Sequence, residues 1–546
     1  MLLEESYKHI RRNHSKLLDF CPDIRVADPV KNPPNTAGLR KGLRDDILRI
    51  RTVHGLERIF QWTSPRLEKI LVFLVFFSAI YFYVRITSSI AYVFRYKPMQ
   101  TVISDLHYPI YKIPFPEITI CNQNRLNWQR YDEAKERFLQ PEHLTDEHEE
   151  IFRQAVNAYD TMRFGHFQSL QHLAELSAEN PRLLDDLNYI NLTKVVEFMA
   201  WKCHEIFSDC SWLNASQDCC KIFTQRKSQK GLCLSFNTIE SKEGAIKHLL
   251  DPYYPWHVAG YGSSSGLYVD IHIREGWHSP LSHNVKGILV MHTEPYVWSY
   301  LHREVPTNTR TLISIDAFLR THHPDTRFYS NDIRQCVFED ELSSLYYKSL
   351  PKRKYMYENC QAQCEQEYTM KFCNCTVDLF YPPARFPPCR LKDLPCLYRN
   401  DEKLKVFEQI GEMDFVKFSR GGMYCPCFMN CKSLRYLSDF RVRNIPELEL
   451  EHNDSRIELA VFFLSDTIMV YQTKPVYTLF DLMASFGGLA GLCMGCSLIG
   501  IIEFLYFFII DLTKHCFRYF KSTGRIRTTN QGMKTKHISV KECQLY

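Results

Sequence analysis

Ile70-Leu71-Val72-Phe73-Leu74-Val75-Phe76-Phe77-Ser78-Ala79-Ile80, running on to Phe94, and Phe486-Gly487-Gly488-Leu489-Ala490-Gly491-Leu492-Cys493-Met494-Gly495-Cys496-Ser497, running on to Ile510, decide how this chain is built. Each stretch is 25 residues with a single charge, Arg85 in the first and Glu503 in the second. As helices they reach roughly 37 Å at about 1.5 Å per residue, enough to cross a hydrocarbon core of ~30 Å with some tilt. A buried core helix is the competing reading, but both stretches are too long and too uniformly apolar for it. The chain therefore divides into a polar segment 1–69, a span 70–94, a cysteine-rich region 95–485, a second span 486–510 and a basic tail 511–546.

The bulk numbers agree with a small membrane fraction. Mean hydropathy is −0.28, and a net charge of +5 on 546 residues defines no nucleic-acid surface. The positive excess gathers beside the spans. Arg49, Arg51, Arg58, Arg66 and Lys69 precede the first; Lys514, Arg518, Lys521, Arg525 and Arg527 follow the second. Basic flanks stay in the cytoplasm, which puts both termini inside and residues 95–485 outside. Glu4, Glu5, His9 and Arg11 stand where a signal peptide would carry its apolar core, so the first span serves as its own insertion signal.

Cysteine placement points the same way. Of 21 cysteines, Cys21, Cys493, Cys496, Cys516 and Cys543 fall in tails or spans, and the other sixteen lie in 95–485. An even number in an oxidising compartment predicts up to eight disulfides. Cys373 with Cys375, and Cys425 with Cys427, are too close to pair with each other and need distant partners. Paired C-x2-C knuckles of a zinc ribbon are missing, so no metal site is expected. Glycosylation sequons at Asn191, Asn214, Asn374 and Asn453 all lie in the same region, Asn374 between two cysteines.

Between the spans the patterning is mixed. Residues 131–176 read as charge-rich surface helices. Alternation in Leu267–Ile273, Gly287–Met291 and Ile457–Phe463 predicts strands. Cysteine-dense loops fill 336–431, with a helical piece at Glu341–Tyr347. The expected fold is a two-span membrane protein with a large, disulfide-rich α+β extracellular domain.

Small residues crowd the second span: Ala484, Gly487, Gly488 and Gly491, then Gly495, Cys496 and Ser497 at mid-depth. Glycine exposes backbone carbonyls and serine adds a hydroxyl, and a ring of such oxygens replaces part of a cation's hydration shell. Glu503 costs about 2.5–3.5 kcal/mol in lipid and so should face water or a partner. Gly487, Gly491 and Gly495, four apart, would equally suit helix packing; Glu503 favours the pore. One such face cannot enclose a hole, so several copies are required. Gly495–Gly500 has one residue too many for a G-x-S-x-G nucleophile turn and lies inside the membrane, and no enzyme constellation stands elsewhere.

Five separate stretches now form a pattern. His54-Gly55, Phe115-Pro116-Glu117-Ile118-Thr119-Ile120-Cys121-Asn122, Gly231-Leu232-Cys233-Leu234-Ser235-Phe236-Asn237, the run Cys336–Cys431 and Gly495-Cys496-Ser497 resemble, in order, motifs of the degenerin/epithelial sodium channel family. The cysteine elaborations are most like its insect pickpocket branch. The resemblance implies a C3 trimer of hand-shaped subunits around a central, Na+-preferring, amiloride-sensitive pore. It implies disulfides Cys121–Cys233, Cys336–Cys431, Cys360–Cys427, Cys364–Cys425, Cys373–Cys396 and Cys375–Cys389. By position Cys210 should meet Cys219 or Cys220, and Cys203 the one left over. It further implies that Gly495, Cys496 and Ser497 form the selectivity filter, that blockers act at Gly491, that a bulky residue at Ala484 holds the gate open, and that His54 and Gly55 influence opening. Permeant Na+ is the cargo, no cofactor is expected, and lipid and related subunits, identical or different, are the partners. Cys496 departs from the usual serine or alanine, no tryptophan immediately precedes Cys336, and the C-terminal tail has no P-P-x-Y. A non-conducting two-span receptor or adhesion protein is the alternative; an ATP-gated trimer would call for lysine-rich nucleotide contacts. The extracellular stimulus, chemical or mechanical, is not written in any local motif.

Overall fold

In a computed structural model of the chain, the described residues are 65–140, 145–280, 286–298, 301–382, 386–408, 421–446, 455–495, 497–506, 509–510 and 513. They fall into two units, residues 1–96 with 477–546, and residues 97–476. The longer helices are α1 (Arg66–Tyr96), α2 (Tyr131–Phe138), α3 (Asp146–Thr161), α4 (Gln171–Glu179), α5 (Leu192–Met199), α6 (Lys242–Leu250), α7 (Tyr357–Cys373), α8 (Leu394–Arg399), α9 (Leu479–Met494) and α10 (Leu498–Tyr506). The strands are β1 (Met99–Pro109), β2 (Glu117–Asn122), β3 (Phe207–Trp212), β4 (Ala215–Gln217), β5 (Phe223–Ser228), β6 (Gly231–Phe236), β7 (Leu267–Ile273), β8 (Ile288–Thr293), β9 (Arg303–Val305), β10 (Thr309–His322), four two-residue strands β11 (Cys336–Val337), β12 (Phe407–Glu408), β13 (Met423–Tyr424) and β14 (Met429–Asn430), then β15 (Lys432–Asn444), β16 (Ser455–Phe463) and β17 (Thr467–Pro475).

Two sheets pack face to face in the unit 97–476. The larger runs β1-β17-β10-β16-β7-β3-β4, with β15 also on β10; the smaller runs β5-β6-β2-β8-β9. Strand β10 organises the larger sheet. One edge pairs antiparallel with β15 from Thr309 to Thr321; the other pairs parallel first with β16 and then, beyond Ile315, with β17. Strands β16 and β17 thus form one interrupted strand along β10. Leu464 N–H continues the ladder to Ile315 O at 2.8 Å, and Ile110 N–H bonds Asp466 O at 3.0 Å in the gap. The alternating apolar residues of β7 and β16 point into the shared core, where Ile271, Ile457 and Leu459 are fully buried, as a period of two requires.

The blocks Phe115–Asn122 and Gly231–Asn237 meet in that core. Phe115 stacks edge-on against Trp212, Phe236 and Phe463, with centroids at 4.9, 6.1 and 5.5 Å. Gly231 makes the β5–β6 turn with φ 93°, a region glycine enters without strain. Asn237 adopts φ 57° and ties three segments: its Nδ2 donates to Phe115 O at 2.6 Å and its Oδ1 accepts from Trp256 N–H at 2.7 Å.

Helices α2 to α5 pack with α7 and α8 around a second core containing Phe152, Tyr159, Leu170, Val195, Phe380 and Leu397. These helices are not purely superficial: α3 buries Ile151, Phe152, Ala155, Val156 and Tyr159 on one face. Most of their charged residues, which suggest a surface position, occupy the opposite side, but Asp160 of α3 is buried and accepts from Trp128 Nε1 at 3.0 Å. Glu341–Tyr347 is not helical but a series of turns. Its backbone bonds span three residues, Ser344 N–H to Glu341 O and Tyr347 N–H to Ser344 O, both at 3.0 Å. Ser344 Oγ reaches Asn331 at 3.3 Å and the Glu341 carboxylate accepts from Phe338 N–H at 3.1 Å. Such side-chain bonds compete with helix.

All sixteen cysteines of the unit are joined. Cys121–Cys233 crosslinks neighbouring β2 and β6. Cys336–Cys431, Cys360–Cys427 and Cys364–Cys425 nest one inside another, and Cys373–Cys396 and Cys375–Cys389 close the far end of α7. Of the alternatives left open by sequence, the structure takes Cys210–Cys219 and Cys203–Cys220.

Candidate functional site

Among the described residues one helix, α1, is long and apolar enough to cross a membrane; α9 is apolar but shorter. Leu71, Leu74 and Val75 of α1 are each more than 60% exposed, a surface suited to lipid rather than water. Helix α9 begins at Leu479, upstream of the apolar stretch, because Thr478 and Asp481 form a reciprocal cap. Thr478 Oγ1 accepts from Asp481 N–H at 3.2 Å and Asp481 Oδ2 accepts from Thr478 N–H at 3.0 Å. The T-x-x-D pattern was the available signal for that start.

The second apolar stretch is not one continuous helix. Helix α9 stops at Gly495, which takes φ 67° and ψ 16° and returns its N–H to Gly491 O at 2.9 Å. A glycine in this left-handed position is a common helix end. Helix α10 restarts at Leu498 with Ser497 as its N-cap, Ser497 Oγ accepting from Gly500 N–H at 3.0 Å. The interruption therefore falls on the G-x-S triplet itself. Broken helices at membrane depth are found where backbone lines a cavity or is buried in protein.

Around this break, Ala484, Gly487, Gly488 and Gly491 are all exposed. A β-carbon at Gly487 or Gly488 would meet nothing within 4 Å. Cys493 is a free, half-buried thiol. Cys496, His54, Gly55 and Asn453 lie outside the described residues, as does the side chain of Glu503 within α10. Asn191 is exposed as the N-cap of α5, Asn214 sits exposed in the β3–β4 turn, and Asn374 is the exposed left-handed end of α7.

Sequence reading missed a buried polar network in the unit 97–476. Glu117 and Arg226 form a salt bridge with both side chains fully buried. The Arg226 guanidinium lies 4.9 Å from the Trp298 ring centre, and Arg353 reaches Glu240 at 2.9 Å alongside. A glutamate inside the apolar β2 run was the visible signal. His322, Cys336 and Cys431 bring donor atoms within 4.8 Å, but the two sulfurs are bonded to each other and offer no thiolate.

A model of the amiloride-sensitive sodium channel family matches residues 48–507. The chain belongs to that family, which consists of ion channels and not enzymes. Pickpocket protein 19 of Drosophila melanogaster is 30% identical over 412 residues, 74% of this chain and 78% of that protein. Sodium channel protein Nach of Drosophila ananassae is 23% identical over 444 residues, covering 77% and 78%. Acid-sensing ion channel 1A of Danio rerio is 21% identical over 493 residues, covering 85% and 87%.

Proposed function

We propose that this chain is a subunit of a trimeric, sodium-preferring, amiloride-sensitive cation channel of the plasma membrane. It crosses the bilayer twice with both termini inside and opens when residues 95–485 receive a chemical or mechanical stimulus, in a sensory role. The observation that carries this reading is the break at Gly495–Ser497 beside an exposed run of small residues, in a member of this family.

A helix end at Gly495 frees backbone carbonyls from helical bonding, and three copies supply enough oxygens to surround a partly dehydrated cation. Small side chains at Ala484, Gly487, Gly488 and Gly491 let three helices approach one axis. Glu503 faces that path on the inner side, and blockers act at Gly491. His54 and Gly55 influence opening from the cytoplasm. Cys496 puts a thiol in the filter where relatives carry smaller or hydroxylated groups. Asn191, Asn214, Asn374 and Asn453 are glycan acceptors on the outer face.

Voltage clamp of cells expressing the chain, alone and with related subunits, tests this. Ala484→Val is expected to give a standing current that reverses near the Na+ potential and is blocked by amiloride. Surface protein without current in every combination would favour a non-conducting receptor.

A further inference from the structure

Two cavities of about 290 Å³ each in the unit 97–476 share Glu294, Met356 and Leu434 in their walls. Glu294 follows β8, and its Oε1 accepts from Leu434 N–H at 2.7 Å. Its other oxygen has no donor among the described residues. Glu358, in the first turn of α7, lines the first cavity as well. Its only donor is its own backbone N–H. Arg435 borders the same space, yet its Nη2 rests on Met429 Sδ at 3.4 Å, and neither it nor Lys432 comes within ion-pair distance of the two carboxyl groups. Burial raises both: Glu294 to about 8, with Glu358 adding to the effect and the Leu434 N–H and Lys432 opposing it, and Glu358 against the opposing charge of Arg435. Two half-buried carboxyl groups with no ion-pair partner favour a cationic one, and the space beside them is reachable.

The rest of the first cavity mixes apolar and aromatic side chains with His292, Thr293, Asn430 and Ser433. Val297, Leu301, Met356 and Leu437 line it with Tyr357 and Tyr436. Tyr436 spends its hydroxyl on Pro114 O at 2.8 Å. Apolar walls with a few convergent polar groups are the usual make-up of a small-molecule site, and aromatic faces favour ammonium groups. A divalent ion is a poorer match, because no third His, Cys, Asp or Glu donor among the described residues gathers with the two carboxyl groups.

The geometry points to a binding site for a small organic amine, its ammonium group held by Glu294 and Glu358 and its apolar body against Val297, Leu301 and Met356. Binding here is separate from the pore and is scored without current.

Full-length protein in detergent is titrated with phenethylamine, 2-phenylethanol and phenylacetate, read by calorimetry and by the shift in Tm. The amine should bind and raise Tm, and the alcohol and the acid should bind at least about tenfold more weakly, a difference of about 1.4 kcal/mol. Glu294→Gln and Glu358→Gln should each weaken the amine by about tenfold or more, with an unliganded Tm no lower than that of the unmodified chain, which shows the variants fold. Equal binding of amine and alcohol, or undiminished amine binding by Glu294→Gln, overturns the proposal. So does no amine binding by the unmodified chain at about 10 mM. Amine binding without any current would keep this site and remove the channel reading; current without amine binding does the reverse.

Discussion

Arg226 shows how much a single side chain can hold. Its guanidinium lies wholly buried between Glu117 and the Trp298 ring, so Arg226→Met strands a carboxylate in the core. The expected cost is about 3–5 kcal/mol, seen as a lowered Tm and loss of surface protein; Glu117→Gln combined with Arg226→Met should recover much of it. Glu294 makes a pH prediction. Its folded value, about 8 through burial, lies above an unfolded value of about 4.3. Its contribution is fully present below about pH 4.3 and is lost as pH rises through about 8. Tm of the full chain should fall across that window, and Glu294→Gln should flatten that part of the fall. At this scale the Gly231–Asn237 block was legible as a motif, but the bond from Asn237 to Phe115 O, 122 residues away, was not. Arg226 was not, since its partner is 109 residues away and no local pattern announces the pair.

Elements depend on how constraints nest. Cys360–Cys427 and Cys364–Cys425 close loops of 67 and 61 residues almost in register. Once one rung is present the other closes only a small ring, so removing a single rung should cost about 2 kcal/mol and removing the second about 4 kcal/mol more. Thermal unfolding of Cys360→Ser/Cys427→Ser and of the four-serine variant checks this; equal increments would refute the nesting account. The strands over Leu267–Ile273 and Ile457–Phe463 could be read from alternation because their odd-numbered apolar residues enter the core, while Asp270 and Glu458 on the other side pair with Arg456. The apolar second stretch could not show its own interruption by hydropathy, since Gly495 and Ser497 are tolerated within an apolar run. The cap signals were present at Thr478 and Ser497, but capping is a matter of two or three residues and is easily masked by composition. Glu341–Tyr347 failed for the opposite reason: helix-compatible residues were diverted by local side-chain bonds.

For the whole molecule the decisive quantity is the number of copies around the ion path. Joined concatemers carrying zero, one, two or three Cys496→Ser subunits, exposed to an external thiol reagent, should retain current in steps that identify three equivalent positions. Block that ignores Cys496 altogether would place that thiol away from the pore. The sheet topology adds a mechanical consequence. Strands β1 and β17 run antiparallel from Met99 with Pro475, and Val476 N–H bonds Pro98 O at 2.8 Å, so the two leads toward the apolar helices leave this unit already laced together. Drawn apart sideways, such a pair unzips rung by rung from that end. Drawn lengthwise, β17 is gripped along both edges, by β1 and by β10, and its rungs share the load in shear. The protein should therefore yield readily to spreading of its two leads and stiffly to traction along them.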